Sequence, residues 1–123
     1  MNDKTPLLRV IVPNMLLQRD HVSSQAFSPK PEDNKLLSTY DGDQISPEAA
    51  YNHYTKDPDR SPAGILAVIV VECSAQNLPV IPDPDTFAEH VLIDFRNFGT
   101  NQIKRKAGRL RDAALARGWQ YRP

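Results

Sequence analysis

Ile65-Leu66-Ala67-Val68-Ile69-Val70-Val71 is the stretch that decides the fold class. Its β-branched side chains crowd the turns of a helix and suit a pleated surface. Pro62 and Gly64, just ahead, interrupt any helix leading into it. The run has the length of a strand and is apolar on both faces, which predicts a buried position in a sheet over residues 65–71. It also falls far short of the roughly 20 residues needed to cross a bilayer.

Two further segments supply partners for that strand. Leu7-Leu8-Arg9-Val10-Ile11-Val12 alternates Leu8, Val10 and Val12 on one face with Leu7, Arg9 and Ile11 on the other. His90-Val91-Leu92-Ile93-Asp94-Phe95 puts Val91, Ile93 and Phe95 on one face and His90, Leu92 and Asp94 on the other. A short strand is expected at Leu36–Tyr40, closed by the turn residues Asp41-Gly42-Asp43, and another at Val22–Phe27. Leu78–Pro82 reads as an edge or connector, because proline cannot donate to a central ladder. The sheet core is expected at 7–12 and 65–71, with 90–95 adjacent.

Two helices complete the reading. Ser46 caps a short one, with Pro47 at its first position and Glu48 at the positive end of its dipole. A longer helix runs from about Asn101 to Arg117. There Ile103, Ala107, Leu110 and Ala114 form one apolar stripe, and Gly118 is the stop. The 123 residues, 40% hydrophobic, therefore predict one α+β domain. Its sheet, mixed or antiparallel, has about four strands, a short middle helix and a longer C-terminal helix. Residues 1–6 are expected to be flexible and 14–34 loop-rich. With no signal-peptide core at its start and a lone Cys73, the chain reads as cytoplasmic, with no membrane span.

Zero net charge hides an asymmetry. From Phe98 to Pro123 seven cations face one anion, a net +6, which leaves −6 on the remainder. Lys104, Arg105, Arg109 and Arg111 on the last helix, with Trp119 beyond it, are the candidate partner-binding residues. A protein partner with an acidic surface fits best, nucleic acid less well because no helix-turn-helix precedes the helix; homo-oligomerisation stays open.

Candidate chemistry centres on Arg9. A guanidinium among apolar neighbours needs a partner, and Glu72 or Asp94 could supply it internally; the alternative is a pocket for an anionic ligand. Ser38, Tyr40 and His90 are the residues expected to join Arg9 in such a pocket. A Ser-His-Asp set from His90 and Asp94 fails on distance, since i and i+4 on a strand lie roughly 13 Å apart, and no Gly-x-Ser-x-Gly elbow is present. His21, His53 and His90 are scattered without zinc-site spacing, and no phosphate loop occurs, so no metal and no cofactor is expected.

Two resemblances bear on function. The strand carrying Arg9, the Ser38-Thr39-Tyr40 element and the Ser46–Ala50 helix start resemble the first half of ADP-ribosyltransferase-type folds. That resemblance implies an arginine gripping a dinucleotide, braced by a Ser-Thr-Ser element, of which Ser-Thr-Tyr is the form here; no catalytic Glu-x-Glu follows. Ser23-Ser24-Gln25-Ala26-Phe27, the Ser-Pro-Glu helix start and Glu89–Ile93 are similar to a family of small uncharacterised bacterial proteins. That second resemblance implies a non-enzymatic accessory, immunity or antitoxin-like subunit that recognises a protein partner, here through the basic helix.

Overall fold

Apolar segments with β-branched patterning find one another in antiparallel register. The computed structural model describes residues 1–18 and 21–123. Among the described residues, β1 (Pro6–Ile11), β2 (Leu36–Asp41), β3 (Gly64–Ile69), β4 (Val80–Pro82) and β5 (His90–Asp94) form one antiparallel sheet. The strand order is β3-β1-β2-β5-β4. The α+β expectation holds, with five strands rather than four. The 90–95 segment does not lie beside 7–12 or 65–71; β2 stands between them.

Each sheet face has its own core, as the alternation along the strands requires. Leu7, Ile11, Leu37, Leu66, Val68, Val91 and Ile93 pack on one side with Phe27, Phe95 and the stripe Ile103, Ala107, Leu110 and Ala114 of α3 (Thr100–Arg117). Leu8, Val10, Tyr40, Ile65 and Ala67 pack on the other with Ala50 of α1 (Pro47–Tyr54). The expected caps are in place. Ser46 Oγ accepts from Ala49 N–H at 3.1 Å, and Gly118 ends α3 with φ +91° while its N–H donates to Ala114 C=O.

Two local expectations are corrected. The apolar run 65–71 is not all strand: β3 stops at Ile69, and Val70-Val71 open α2 (Val70–Ala75). Ile69 N–H donates to Glu72 Oε1 at 2.8 Å, which turns the chain, and Val70 and Val71 N–H donate to Thr5 and Asp3 carbonyls. Those two bonds also tie down the start of the chain, where Thr5 is buried. The second correction is at 22–27. Val22 makes only an isolated bridge to Leu16, and Ser24–Phe27 form a 3-10 turn whose Ser23 Oγ accepts from Gln25 N–H. The turn buries Ala26 and Phe27 in the core shared with α3, a contact that an extended strand would forfeit.

The C-terminal tail folds back. Tyr121 bridges Ile65 on the free edge of β3, and Trp119 packs over Gly64, where a Cβ would lie 3.0 Å from the indole and 2.5 Å from Tyr121 O. Cys73 is buried, and burial pushes its thiol up to about 12, so it is an inert core residue. Among the described residues no helix is long and apolar enough to cross a membrane.

Candidate functional site

The site begins where two strands part. β1 and β2 pair only at Leu7–Asp41 and Leu8–Tyr40; beyond Leu8, β1 continues against β3 alone. The gap is filled by the Arg9 guanidinium, whose Nη1 donates to Ser38 C=O at 3.0 Å and whose Nε donates to Ala26 C=O at 2.7 Å. Both expected carboxylate partners are engaged elsewhere. Glu72 is bonded by Arg117 at 3.0 and 3.1 Å, and Asp94 by Arg96 at 2.9 and 3.1 Å. Among the described residues no carboxylate forms an ion pair with Arg9. Burial pulls its guanidinium down to about 10, partly opposed by Tyr54 and Asp33 nearby. It remains a cation at neutral pH, hydrogen-bonded to two backbone carbonyls.

Ser38, Tyr40 and His90 lie on one face of β2 and β5, since Tyr40 and His90 are register partners and Ser38 is two residues from Tyr40. His90 is the hub. Its Nε2 lies 3.0 Å from Ser38 Oγ, and its Nδ1 lies 2.8 Å from Asp83 Oδ2. Asp83 reaches it because the β4–β5 connection is a wide hairpin built from Asp83-Pro84-Asp85-Thr86, in which Thr86 Oγ1 donates to Asp83 Oδ2 at 2.7 Å. Those side-chain hydrogen bonds, from Thr86 first and then His90, hold the Asp83 carboxyl below the ordinary carboxylate range. An ionised carboxylate only accepts, so Nδ1–H donates to it, and in the neutral imidazole Nε2 is then the acceptor that faces Ser38. The His90 side chain is only 8% exposed, whereas Ser38 is open to solvent.

Aromatic side chains wall the space above. Phe87 packs against Tyr40, His53 and His90 with ring centroids 5.1, 4.8 and 4.7 Å away. Tyr40 Oη lies 2.7 Å from His53 Nδ1. Burial pushes the Tyr40 phenol up to about 12, so it stays protonated. Tyr54 from the last turn of α1, with Arg60 over its ring at 4.6 Å, closes the outer side. The resulting cavity holds about 310 Å³, and Arg9, Ser38, Tyr40 and His90 all line it. The four residues singled out in the sequence thus converge, although His90 pairs with Asp83 and not with Asp94.

Several residues of the site were not anticipated. His53, Arg60 and Phe87 come from helix and loop positions with no signature of their own. Asp83 was missed as the partner of His90; its one signal was an Asp-Pro turn shortly before a strand that opens on histidine.

The basic helix is a separate place. α3 is docked by its apolar stripe, with Lys104 and Arg105 exposed. Arg109 donates to Gln76 Oε1 and Arg111 pairs with the neighbouring Asp112. Trp119 is half-buried, packed over Gly64 and covered by Arg122 at 4.3 Å, so it is part of the fold. None of these residues lines the cavity. Compared with known proteins, the chain matches no family model, no curated protein and no solved structure.

Proposed function

We propose that the protein binds a small anionic molecule in the cavity floored by β1, β2 and β5. One observation carries the reading: the half-buried Arg9 charge borders this cavity and forms no ion pair with a carboxylate among the described residues, Asp33 acting on it only without direct contact. A second cation, Arg60, 3.7 Å from the half-exposed Asp57, lines the same space, and Tyr40, Phe87 and His53 offer planar surfaces for an unsaturated ligand. The volume of about 310 Å³ stands at the low end of the 300–1,000 Å³ typical of small-molecule sites. It favours a ligand smaller than the dinucleotide that an ADP-ribosyltransferase-like activity would need.

The test is a thermal-shift series with inorganic phosphate, small carboxylates, nucleoside monophosphates and NAD. A ligand at about 100 times its Kd adds roughly 2.7 kcal/mol, a rise of order 10 °C for a domain of this size. The rise is expected for a small anion and is expected to vanish in Arg9→Met. No shift with any anion, or the same shift in Arg9→Met, overturns the reading.

A second reading rests on Lys104 and Arg105, which are exposed and form no ion pair among the described residues. They support docking of an acidic protein surface on α3, as an accessory or antitoxin-like subunit would require. Charge reversal of both residues would weaken such a complex while leaving the anion-induced thermal shift unchanged.

A further inference from the structure

Ser38, His90 and Asp83 make a continuous hydrogen-bonded chain that opens into the cavity, and binding alone does not require it. We infer that Ser38 is a nucleophile, with His90 as its general base and Asp83 as a positioning residue, in the hydrolysis of a small anionic ester held in this cavity. The inference rests on the anion-binding reading for its substrate class and on separate geometry for its chemistry.

The geometry meets the requirements for an activated serine in order. The nucleophile oxygen is solvent-accessible and 3.0 Å from the base nitrogen. The base is buried, with Phe87 packed against its ring at 4.7 Å. The orienting carboxylate, 2.8 Å from Nδ1, fixes the tautomer that leaves Nε2 free to accept. Thr86 in turn holds that carboxylate at 2.7 Å. Ser38 stands in the middle of a strand and not on a sharp elbow, so a backbone amide behind it is not the source of oxyanion stabilisation. Arg9, whose Nη1 donates to the carbonyl of Ser38 itself, is the cation beside the nucleophile and supplies the positive charge instead.

Ser38 Oγ bonds to the ester carbonyl carbon as its proton passes to His90 Nε2, and the carbonyl electron pair moves onto oxygen. Collapse breaks the bond to the alkoxide, which leaves with the proton from Nε2. Water then repeats the sequence on the acyl-serine, giving its proton to Nε2 and its oxygen to the acyl carbon. Ser38 Oγ departs and takes the proton back. The products are one carboxylic acid and one alcohol, with neither oxidant nor reductant involved.

A fluorophosphonate probe and intact-mass measurement test this directly. Ser38 Oγ would form the bond to phosphorus as fluoride leaves, giving a single adduct that peptide mapping places on Ser38. Ser38→Ala should abolish the adduct, and His90→Gln should slow it about 100-fold or more. Asp83→Asn should also slow it, through the wrong tautomer, without a matching fall in Tm. Because His90 is buried and its replacement risks unfolding, Ser38→Cys gives a second measurement. Its thiol should be alkylated by iodoacetamide faster than a free cysteine near neutral pH, with the buried Cys73 unreacted as an internal control. Absence of any adduct on Ser38, together with ordinary reactivity of the Ser38→Cys thiol, overturns the inference. The anion-induced thermal shift in Ser38→Ala separates the two readings. If it persists while Ser38 is inert, the cavity binds but does not hydrolyse; if Ser38 reacts and no anion shifts the melting, the binding reading alone falls.

Discussion

Replacing Arg9 with methionine sets two effects against each other. The desolvated charge is removed, which favours folding, but the carbonyls of Ala26 and Ser38 lose their donor. The bond to Ser38 is at the exposed side, where water can take over, whereas the one to Ala26 is partly buried. The unpaired carbonyl should win, with a net loss of about 1–2 kcal/mol in urea denaturation. A gain in stability would mean that the guanidinium is a burden the fold tolerates for its ligand. Acid titration probes the carboxylates. Asp94, bonded by Arg96, and Asp83, bonded by Thr86 and His90, both hold their protons less tightly than in the unfolded chain. Their contribution is therefore fully present above the unfolded value near 3.9 and is lost as pH falls through the lower folded values. Asp94→Asn should accordingly flatten the loss of stability below about pH 4; an unchanged slope in denaturant midpoints against pH would refute the assignment. The partners of Arg9 could not be read from the sequence because both are backbone carbonyls. Such groups are present at every residue and become specific only when β1 and β2 separate.

At the scale of elements, what was legible followed local rules. The caps of α1, the stripe of α3 and the alternation in β1 and β5 each depend on residues within one turn or one pleat, so sequence spacing suffices. The errors fell where a distant contact decided the matter. Val70 and Val71 favour a strand, yet Glu72 reaches back to Ile69 N–H and the carbonyls of Asp3 and Thr5 accept the next two amides. The convergence of Arg9, Ser38, Tyr40 and His90 was legible as a condition because three of them sit on neighbouring strand faces; Asp83 was not, because a wide hairpin brings it in. Two substitutions separate these kinds of constraint. Leu110→Ala empties a fully buried site between α3 and the sheet and should lower stability by about 2–5 kcal/mol in denaturant unfolding. Gly64→Ala adds only a methyl group, but it meets Tyr121 O at 2.5 Å at a backbone φ of +155°. It should release the tail from β3, seen as a red-shifted, more quenchable Trp119 fluorescence, with a loss of about 1–3 kcal/mol. Unaltered fluorescence would mean that the tail adapts in place.

The whole molecule divides its labour between the two sheet faces. The α3 side joins four strands, the 24–27 turn and an 18-residue helix in a continuous core, whereas the opposite side is covered by an eight-residue α1 and by loops. A helix of two turns has little stability of its own and depends on the sheet beneath it. The cavity lies on this thinner side, lined by the end of α1 and by Thr86 and Phe87. Local opening should follow the same division. Native-state hydrogen exchange is expected to show the amides of β1, β3 and α3 exchanging only through global unfolding. Those of 47–54 and 83–89 should exchange through smaller openings of lower free energy. Saturation with the anion giving the largest thermal shift should raise protection in 47–54 and 83–89, the segments that close on Arg9 and His90. The α3 amides would change only by the overall gain in stability. Equal protection of both faces without ligand, or ligand-induced protection centred on α3, would place binding on the basic helix and displace the cavity as the working surface.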